Sequence, residues 1–193
     1  MNTRPVRLGT VGKSLTHDEW LRLRSQGIGG SDAAAVAGAS DWASPMSVYL
    51  EKIGVAPAIE INEAMYWGTQ LENAVATEFQ LENATRVIGR QILYRCRQYP
   101  FMMATIDGRY HEAKSKEWSL YEGKTTSLRN SDAWATEPPL NVYVQVQHNL
   151  AVTGYEHCGV ACLIGGQRYV SYRVRRDDTF IAYDSYDIVV EAA

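Results

Sequence analysis

Two short stretches, Ile106-Asp107-Gly108 and Leu120-Tyr121-Glu122-Gly123-Lys124, decide how this chain folds and which chemistry it can carry. The residues before Asp107 and around Glu122 are rich in β-branched and aromatic side chains, which predicts two neighbouring strands. Glu122 and Lys124 lie two residues apart, so their side chains share one face of a strand. Antiparallel pairing of the two strands then brings Asp107 beside them. The sequence therefore predicts two carboxylates and one ammonium group at a sheet edge.

This group of side chains is suited to a divalent cation. Carboxylate oxygens are the hard ligands that Mg²⁺ prefers, and Mg²⁺ also keeps waters and binds phosphate oxygens. A bound ion can lower the pKa of a water and neutralise charge on a scissile phosphate. Lys124 can orient that water or stabilise the developing charge. The same pattern also fits a surface Glu–Lys pair beside a turn aspartate, so the spacing alone leaves both interpretations open.

The remaining elements predict one domain over residues 1–193, with 1–15 as a flexible N-terminal segment. Helical signals fill the first half and strands begin near Arg86. The predicted helices begin at the Thr16 capping box, at a Ser31-Asp32 cap, at Ser44-Pro45 (ending at Gly54), at Asn62 (to about Asn83), at about Leu140 (to Thr153) and at about Asp178 (to Val190). The predicted strands are Val87–Tyr94, Phe101–Ile106, Ser119–Gly123, His157–Ile164 and Tyr169–Val174, with a hairpin loop from His111 to Glu117. This order predicts an α+β or α/β sandwich with a central mixed sheet.

Composition excludes several classes of protein. Hydrophobic residues make up 46% of the 193 residues, which favours a globular fold over disorder. A net charge of −3 argues against a uniformly basic DNA binder but permits a local basic patch. No apolar run approaches membrane-spanning length, and the N-terminus lacks the apolar segment of a secretory signal. The three cysteines, Cys96, Cys158 and Cys162, predict reduced thiols in a cytoplasmic protein, with the last two buried in a strand.

A second candidate site lies in the glycine-rich turn Gly27-Ile28-Gly29-Gly30. Arg24 precedes this turn and Ser31 follows it. A guanidinium group, a hydroxyl and free backbone N–H groups together form a suitable cradle for a phosphate. The alternative is that Ser31 only caps the next helix and Arg24 only faces solvent.

Four stretches, which follow one another along the chain in the order that the family has them, resemble the motifs of the YqaJ-like viral recombinases. This is a lambda-exonuclease-like family of the PD-(D/E)xK nuclease superfamily. Asp107 with Glu122-Gly123-Lys124 resembles the catalytic Asp…Glu-x-Lys core. The other three stretches are Arg24 to Ala34, Trp67-Gly68-Thr69-Gln70-Leu71-Glu72 and Tyr143-Val144-Gln145-Val146-Gln147-His148. The resemblance covers about two-thirds of the chain, and it departs at Gly123, where the family usually has an apolar residue. The fold that it implies is α/β (α+β): a restriction-endonuclease-like core whose central mixed β-sheet is flanked by helices, with an N-terminal helical cap.

The resemblance also implies roles for individual residues. Asp107, Glu122 and the Gly123 carbonyl would hold Mg²⁺, with Mn²⁺ as a substitute, and Lys124 would assist the attacking water. Glu72 would take an outer or second-metal role, although a solvated helix acid is the alternative from the residues alone. Gln145 would face the active site, whereas Gln147, His148 and His157 are interpreted as structural. Arg24 and Ser31 would hold the 5′ phosphate.

The function that the resemblance implies is digestion of double-stranded DNA ends by a 5′→3′ exonuclease. The products would be 5′-mononucleotides and a 3′ single-stranded overhang for phage-type DNA recombination. The partners implied are two further copies in a homotrimer ring and a single-strand-annealing protein, with no membrane. The location would be the cytoplasm, that of the host cell if a phage encodes the chain. An endonuclease of the same core and a catalytically silent DNA-binding module are the alternatives.

Overall fold

The computed structural model of the protein describes residues 4–56 and 62–182. Its helices are α1 (His17–Arg24), α2 (Gly30–Val36), α3 (Pro45–Lys52), α4 (Glu63–Glu82) and α5 (Leu140–Thr153). Its strands are β1 (Val6–Thr10), β2 (Ile92–Arg95), β3 (Met103–Ile106), β4 (Gly108–His111), β5 (Trp118–Thr126), β6 (His157–Ile164) and β7 (Arg168–Arg175). Two 3₁₀ turns, Leu128–Asn130 and Asp132–Trp134, precede α5.

The strands form two sheets that meet at Asp107. The first has the order β1-β2-β3 and is antiparallel. The second has the order β4-β5-β6-β7, in which β5 and β6 are parallel and the other pairs are antiparallel. Helix α5 makes the crossover that a parallel β5–β6 pair requires. The prediction of a mixed sheet flanked by helices is therefore confirmed.

The four-stranded sheet is buried on both faces. The residues of β5 and β6 that face α5 belong to the main core with Val146 and Leu150 of that helix. On the opposite face, Tyr121 and Ala161 pack against Val75 and Phe79 of α4. Cys158 and Cys162 are buried in β6 as predicted, and all three cysteines are free thiols. The sheet is thus a rigid layer from which polar side chains of β5 can be presented at fixed positions.

The predicted helix boundaries agree closely, apart from α2. Thr16 forms the predicted capping box with Glu19, and Ser44 and Asn62 cap α3 and α4. The prediction that Ser31-Asp32 caps α2 is wrong, because the N-cap is Gly29. Asp32 instead lies at the third helical position and its carboxylate accepts a hydrogen bond from the Gly29 N–H at 2.9 Å. Ser31 therefore lies inside the first turn, where its hydroxyl is free to meet other groups.

The strand predictions need three corrections. The strand predicted at Val87–Tyr94 is wrong over residues 87–91, which form an isolated bridge and a turn, because β2 begins only at Ile92. Strand β4, which begins at Gly108, was not predicted. A Cβ at Gly108 would lie only 2.4 Å from the Val87 Cγ1, so glycine allows the close approach of this strand to Val87. Strand β1 was not predicted either, and it lies within the segment 1–15 that was expected to be flexible. The final predicted helix is present at 178–182, and the rest of it lies outside the described residues. None of the helices in the described part of the chain is long and apolar enough to cross a membrane.

Candidate active site

Strand β5 presents its polar side chains on the face that packs against α5. Alternation along the strand places Leu120, Glu122 and Lys124 on this face and Tyr121 on the other. Glu122 is only 3% exposed, and its Oε1 lies 2.8 Å from the Lys124 Nζ. A buried carboxylate is tolerated only with such partners, so the strand fixes the Glu122–Lys124 pair as a unit.

Asp107 lies at the bend between β3 and β4, directly beside this pair. Gly108 is opposite Tyr121 in the β4–β5 register, which brings Asp107 next to the backbone of Glu122 and Gly123. The Asp107 Oδ2 accepts a hydrogen bond from the Gly123 N–H at 3.0 Å. Burial and the neighbouring Glu122 carboxylate raise the pKa of Asp107 to about 8. The predicted convergence of the two carboxylates and the ammonium is therefore present in the fold.

Helix α5 supplies amide groups to the Glu122 carboxylate. The Gln145 Nε2 donates to the Glu122 Oε1 at 2.6 Å, and the Gln145 Oε1 accepts from the Lys124 Nζ at 2.9 Å. Burial alone would lower the pKa of Lys124, but the carboxylates of Glu122 and Asp107 outweigh burial and raise it. Lys124 therefore remains a cation that is held in place on both sides.

Asn149 belongs to this site and was not predicted from the sequence. It is 2% exposed, and its Nδ2 lies 3.4 Å from the Glu122 Oε2. Its Oδ1 has no hydrogen-bond partner among the described residues. The signal that could have found it is helical spacing, since Asn149 follows Gln145 by four residues and so shares its face. Two amides one turn apart thus contact the two oxygens of one carboxylate.

Gln147 and His148 of α5 make structural contacts, as expected. Gln147 is fully buried, where it donates to the Arg175 carbonyl and accepts from the Asp177 N–H. The His148 Nε2 lies 2.9 Å from the Met103 carbonyl oxygen, and burial lowers the pKa of this imidazole. His157 is opposite Arg175 in the β6–β7 ladder, and its structural role stays a prediction.

Glu72 does not join the carboxylate cluster directly. Its Oε1 accepts hydrogen bonds from the Arg90 Nη2 at 2.6 Å and the Gln91 Nε2 at 3.3 Å. Across residues 4–56 and 62–182, no three histidine, cysteine or acidic side chains converge as a ready set of metal ligands. The negative charge of Glu72 still acts on the site, because it contributes to the raised pKa of Asp107. An outer or second-metal role for Glu72 remains a prediction.

The glycine-rich turn lies against the strand that leads to Asp107. The Ile28 N–H donates to the Phe101 carbonyl at 2.7 Å, and the Met103 N–H donates to the Ile28 carbonyl at 2.8 Å. A Cβ on Gly27 would lie 2.3 Å from the Phe101 carbonyl oxygen, so glycine is required for this approach. The turn is thereby fixed at the sheet edge.

Arg24 and Ser31 are brought together by this turn, as predicted. The Arg24 Nη2 donates to the Ser31 Oγ and to the Asp32 Oδ1, each at 2.8 Å. The guanidinium group also lies over the Trp20 ring, 5.4 Å from its centroid. These contacts hold a planar donor group at one position.

A single cavity joins the two candidate sites. It measures about 190 Å³, and its lining includes Arg24, Gly29 and Ser31 from the turn and Asp107, Gln145 and Asn149 from the carboxylate site. The two sites approach each other closely at Gly30, where a Cβ would lie only 2.3 Å from the Asn149 Oδ1. One ligand can therefore contact both the guanidinium group and the carboxylate edge.

The profile of the YqaJ-like viral recombinase domain matches residues 19–156 of the chain. The chain belongs to this family. The uncharacterized protein YqaJ of Bacillus subtilis is 36% identical over 185 residues, which cover 94% of this chain and 57% of that protein. The matched region contains all the predicted site residues, from Arg24 to Gln145.

Solved structures show the same fold. The alkaline exonuclease LHK-Exo of Laribacter hongkongensis has a TM-score of 0.69 with 21% identity, over 90% of this chain and 89% of that one. A phage-related exonuclease of Haemophilus somnus 129PT has a TM-score of 0.59 with 10% identity, over 90% of this chain and 99% of that one. At these identities the likeness extends to the fold alone.

In this YqaJ-like chain the backbone at Gly123 leaves little room for a side chain. A Cβ at Gly123 would lie 2.8 Å from the Tyr121 hydroxyl oxygen. Tyr121 is fully buried against Phe79, with ring centroids 4.9 Å apart, so it cannot move aside easily. The tyrosine ring occupies the space of an apolar residue at position 123, while the backbone at that position still contacts Asp107.

Proposed function

We propose that this protein is a metal-dependent nuclease that digests double-stranded DNA from a 5′ end. The observation that carries the proposal is the convergence of Asp107, Glu122 and Lys124 on one sheet edge, supported from α5 by Gln145. Solved structures of the same fold are described as exonucleases, and one is LHK-Exo in complex with dAMP. The chain spans 57% of the length of its Bacillus subtilis relative. Any activity that requires the full length of such a relative is therefore assigned to this chain only as a proposal.

The donor set fits a divalent cation. Burial and the Glu122 carboxylate raise the pKa of Asp107, so a positive charge bound beside these two carboxylates would be favourable. Asp107, Glu122 and the Gly123 carbonyl would supply hard oxygen ligands, which suit Mg²⁺ and also Mn²⁺. The bound ion would supply a water of lowered pKa and would neutralise charge on the scissile phosphate.

The remaining residues would act on the substrate itself. Lys124 would orient the attacking water or stabilise negative charge on the phosphate, because its ammonium group is held 2.8 Å from Glu122 and remains 27% exposed. Gln145 would keep Lys124 and Glu122 in register through its two hydrogen bonds. Glu72 would assist from an outer position once released from Arg90.

The direction of digestion would come from Arg24 and Ser31. A terminal phosphate carries more charge than an internal phosphodiester, so a fixed guanidinium group and a hydroxyl would favour it. Because one cavity contacts this pair and Asp107, a 5′-terminal nucleotide would place its phosphate at Arg24 and its 3′ linkage toward the carboxylates. Repeated cleavage would release 5′-mononucleotides and leave a 3′ single strand. The homotrimer ring and the single-strand-annealing partner are carried by the family resemblance alone.

Digestion of three DNA forms with Mg²⁺ tests the proposal. The substrates are linear duplex with a 5′ phosphate, linear duplex with a 5′ hydroxyl, and closed circular duplex. We expect rapid digestion of the first, slower digestion of the second and none of the third. Cleavage of the circle would indicate an endonuclease, and the absence of cleavage would indicate a silent binding module.

Variants connect this assay to the residues. Asp107→Ala and Glu122→Ala should abolish cleavage while the protein still folds, whereas Asp41→Ala, which removes an exposed carboxylate, should not. Arg24→Ala should remove most of the preference for the 5′ phosphate. Near-normal activity in Asp107→Ala or Glu122→Ala would refute the metal site. Full retention of the preference in Arg24→Ala would refute the phosphate pocket.

A further inference from the structure

Behind Arg24 lies a buried charge network that the nuclease proposal does not use. The Asp32 carboxylate is held between two cations, with Oδ1 2.8 Å from the Arg24 Nη2 and Oδ2 2.6 Å from the Lys52 Nζ. The same Oδ2 accepts the Gly29 N–H at 2.9 Å. The Lys52 Nζ also donates to the Arg24 carbonyl oxygen at 3.2 Å. Residues from α1, α2 and α3 therefore meet at one carboxylate.

The network is deeply placed and has unequal numbers of charges. The side chain of Asp32 is 5% exposed and that of Lys52 is 12% exposed, whereas the Arg24 side chain reaches the cavity at 25%. Burial alone would raise the pKa of Asp32, but Arg24 and Lys52 outweigh burial and lower it, so the carboxylate is ionised. Two cations and one anion leave a net positive charge, and Arg24 is the member that lines the cavity.

The two neighbours have different effects on Arg24. Asp32 fixes the orientation of the guanidinium group by accepting from Nη2; within the described residues, no hydrogen bond uses Nη1 or Nε. Asp32 alone would also cancel the charge of Arg24, and a neutral pair attracts a terminal phosphate weakly. Lys52 compensates the carboxylate from behind, so the positive charge of Arg24 is left for a ligand in the cavity.

We propose that Asp32 and Lys52 are positioning residues for recognition of a 5′-terminal phosphate: Asp32 orients Arg24, and Lys52 neutralises Asp32 so that Arg24 keeps its charge. This inference rests on the proposed terminal-phosphate pocket. A purely structural network that ties the three helices together would make a different prediction. Its loss would change stability without changing the discrimination between phosphate and hydroxyl ends.

Binding in EDTA separates the two interpretations without any cleavage. The probes are the same blunt duplex with a 5′ phosphate or a 5′ hydroxyl. The measured quantity is the dissociation constant of the hydroxyl duplex divided by that of the phosphorylated duplex. In Lys52→Met we expect tighter binding of the phosphorylated end to be lost, with the ratio falling by about tenfold, as for loss of a charge-assisted contact. Asp32→Ala should strengthen binding of both probes, because it removes a negative charge, yet reduce the ratio because the acceptor that orients Arg24 is lost.

Three further variants make the result specific. Arg22→Met is the matched control, since it removes an exposed cation from the same last turn of α1 and should leave the ratio unchanged. Lys52→Arg keeps the charge and should keep most of the preference. Lys52→Gln removes the charge but keeps a donor, so it should reproduce the loss even if Lys52→Met folds poorly, which thermal unfolding would reveal.

The outcomes distinguish this inference from the function on which it rests. If the wild-type protein shows no preference for the phosphorylated end, the phosphate pocket itself is wrong and the inference fails with it. If the wild type shows the preference and Arg24→Ala loses it, but the folded Lys52 and Asp32 variants keep it in full, only the inference is overturned. A ratio that falls in Arg22→Met as much as in Lys52→Met would also overturn it, because general charge would then be sufficient.

Discussion

Replacing Asp107 by Asn should stabilise the metal-free protein above neutral pH. The Asn side chain can still accept the Gly123 N–H, so the backbone contact at 3.0 Å is kept. The substitution removes the negative charge that burial and Glu122 disfavour, which is the cause of the raised pKa of about 8. Mutations in a folded core usually destabilise, so an increase in the free energy of unfolding would be a specific result.

The sign and size follow from the difference between the folded and unfolded proteins. Asp107 titrates near its ordinary value of 3.8 when unfolded and at about 8 when folded. The wild type is therefore most stable below the unfolded pKa and loses stability as the pH rises through the folded pKa. Each pH unit in this window costs at most about 1.4 kcal/mol. Because solvent in the cavity and the Lys124 cation screen the charge, we expect a total of about 1–3 kcal/mol at pH 8.5.

Urea denaturation in EDTA at pH 5 and pH 8.5 measures this effect. The difference in unfolding free energy between Asp107→Asn and the wild type should be larger at pH 8.5 than at pH 5. Added Mg²⁺ should stabilise the wild type and not the variant, since ligand binding to the folded state raises stability. Asp41→Asn, at an exposed position, is the control and should show neither effect. An Asp107→Asn protein that is less stable than the wild type at pH 8.5 would refute the reasoning.

Two further predictions concern the same site. Lys124→Ala should reduce turnover far more than DNA affinity, because the Lys124 ammonium group lies beside the Glu122 carboxylate. Single-turnover cleavage measures the turnover and binding in EDTA measures the affinity. Equal losses in the two would argue against a role in the chemical step. Gly30→Ala should reduce cleavage, because its Cβ would displace the Asn149 amide from Glu122. In the Asn149→Ala background the same change should cost less, because only the approach of the Cβ to the Gln145 Cγ at 3.1 Å remains. An additive loss in the double variant would mean that the two residues act independently.

The sequence predicted the carboxylate edge because that part of the site depends on local rules. Strand alternation is enough to place Glu122 and Lys124 on one face, and a strand end beside a glycine is enough to place Asp107 nearby. The detail was less accurate, since the strand that pairs with β5 is Gly108–His111 and not the one before Asp107. The predicted convergence of the three side chains is nevertheless present, because Asp107 lies at the boundary between β3 and β4.

Some of the features that were missed depend on contacts between distant parts of the chain. Lys52 lies 28 residues after Arg24, and no periodicity links α3 to the glycine-rich turn. Strand β1 lacked a strong strand signal because it is short and contains Gly9. The N-cap of α2 was misplaced for a different reason: Asp32 was interpreted as a cap before the helix, whereas it closes the turn from the third helical position. Side chains of this kind can be assigned only when the packing of helices is known.

The contact between Gly30 and Asn149 explains how two separate sites can form one. Arg24 and Ser31 lie on the N-terminal helices, whereas Asp107 and Glu122 lie on the sheet, so the distance between the two sets depends on how α2 packs against α5. Glycine at position 30 lets the helices approach until the Asn149 amide fills the space of a side chain. The same amide contacts Glu122 on its other side. An end-directed nuclease requires a constant distance between the group that holds the terminus and the group that cleaves, and a buried, tightly packed contact provides a constant distance where a mobile loop would not.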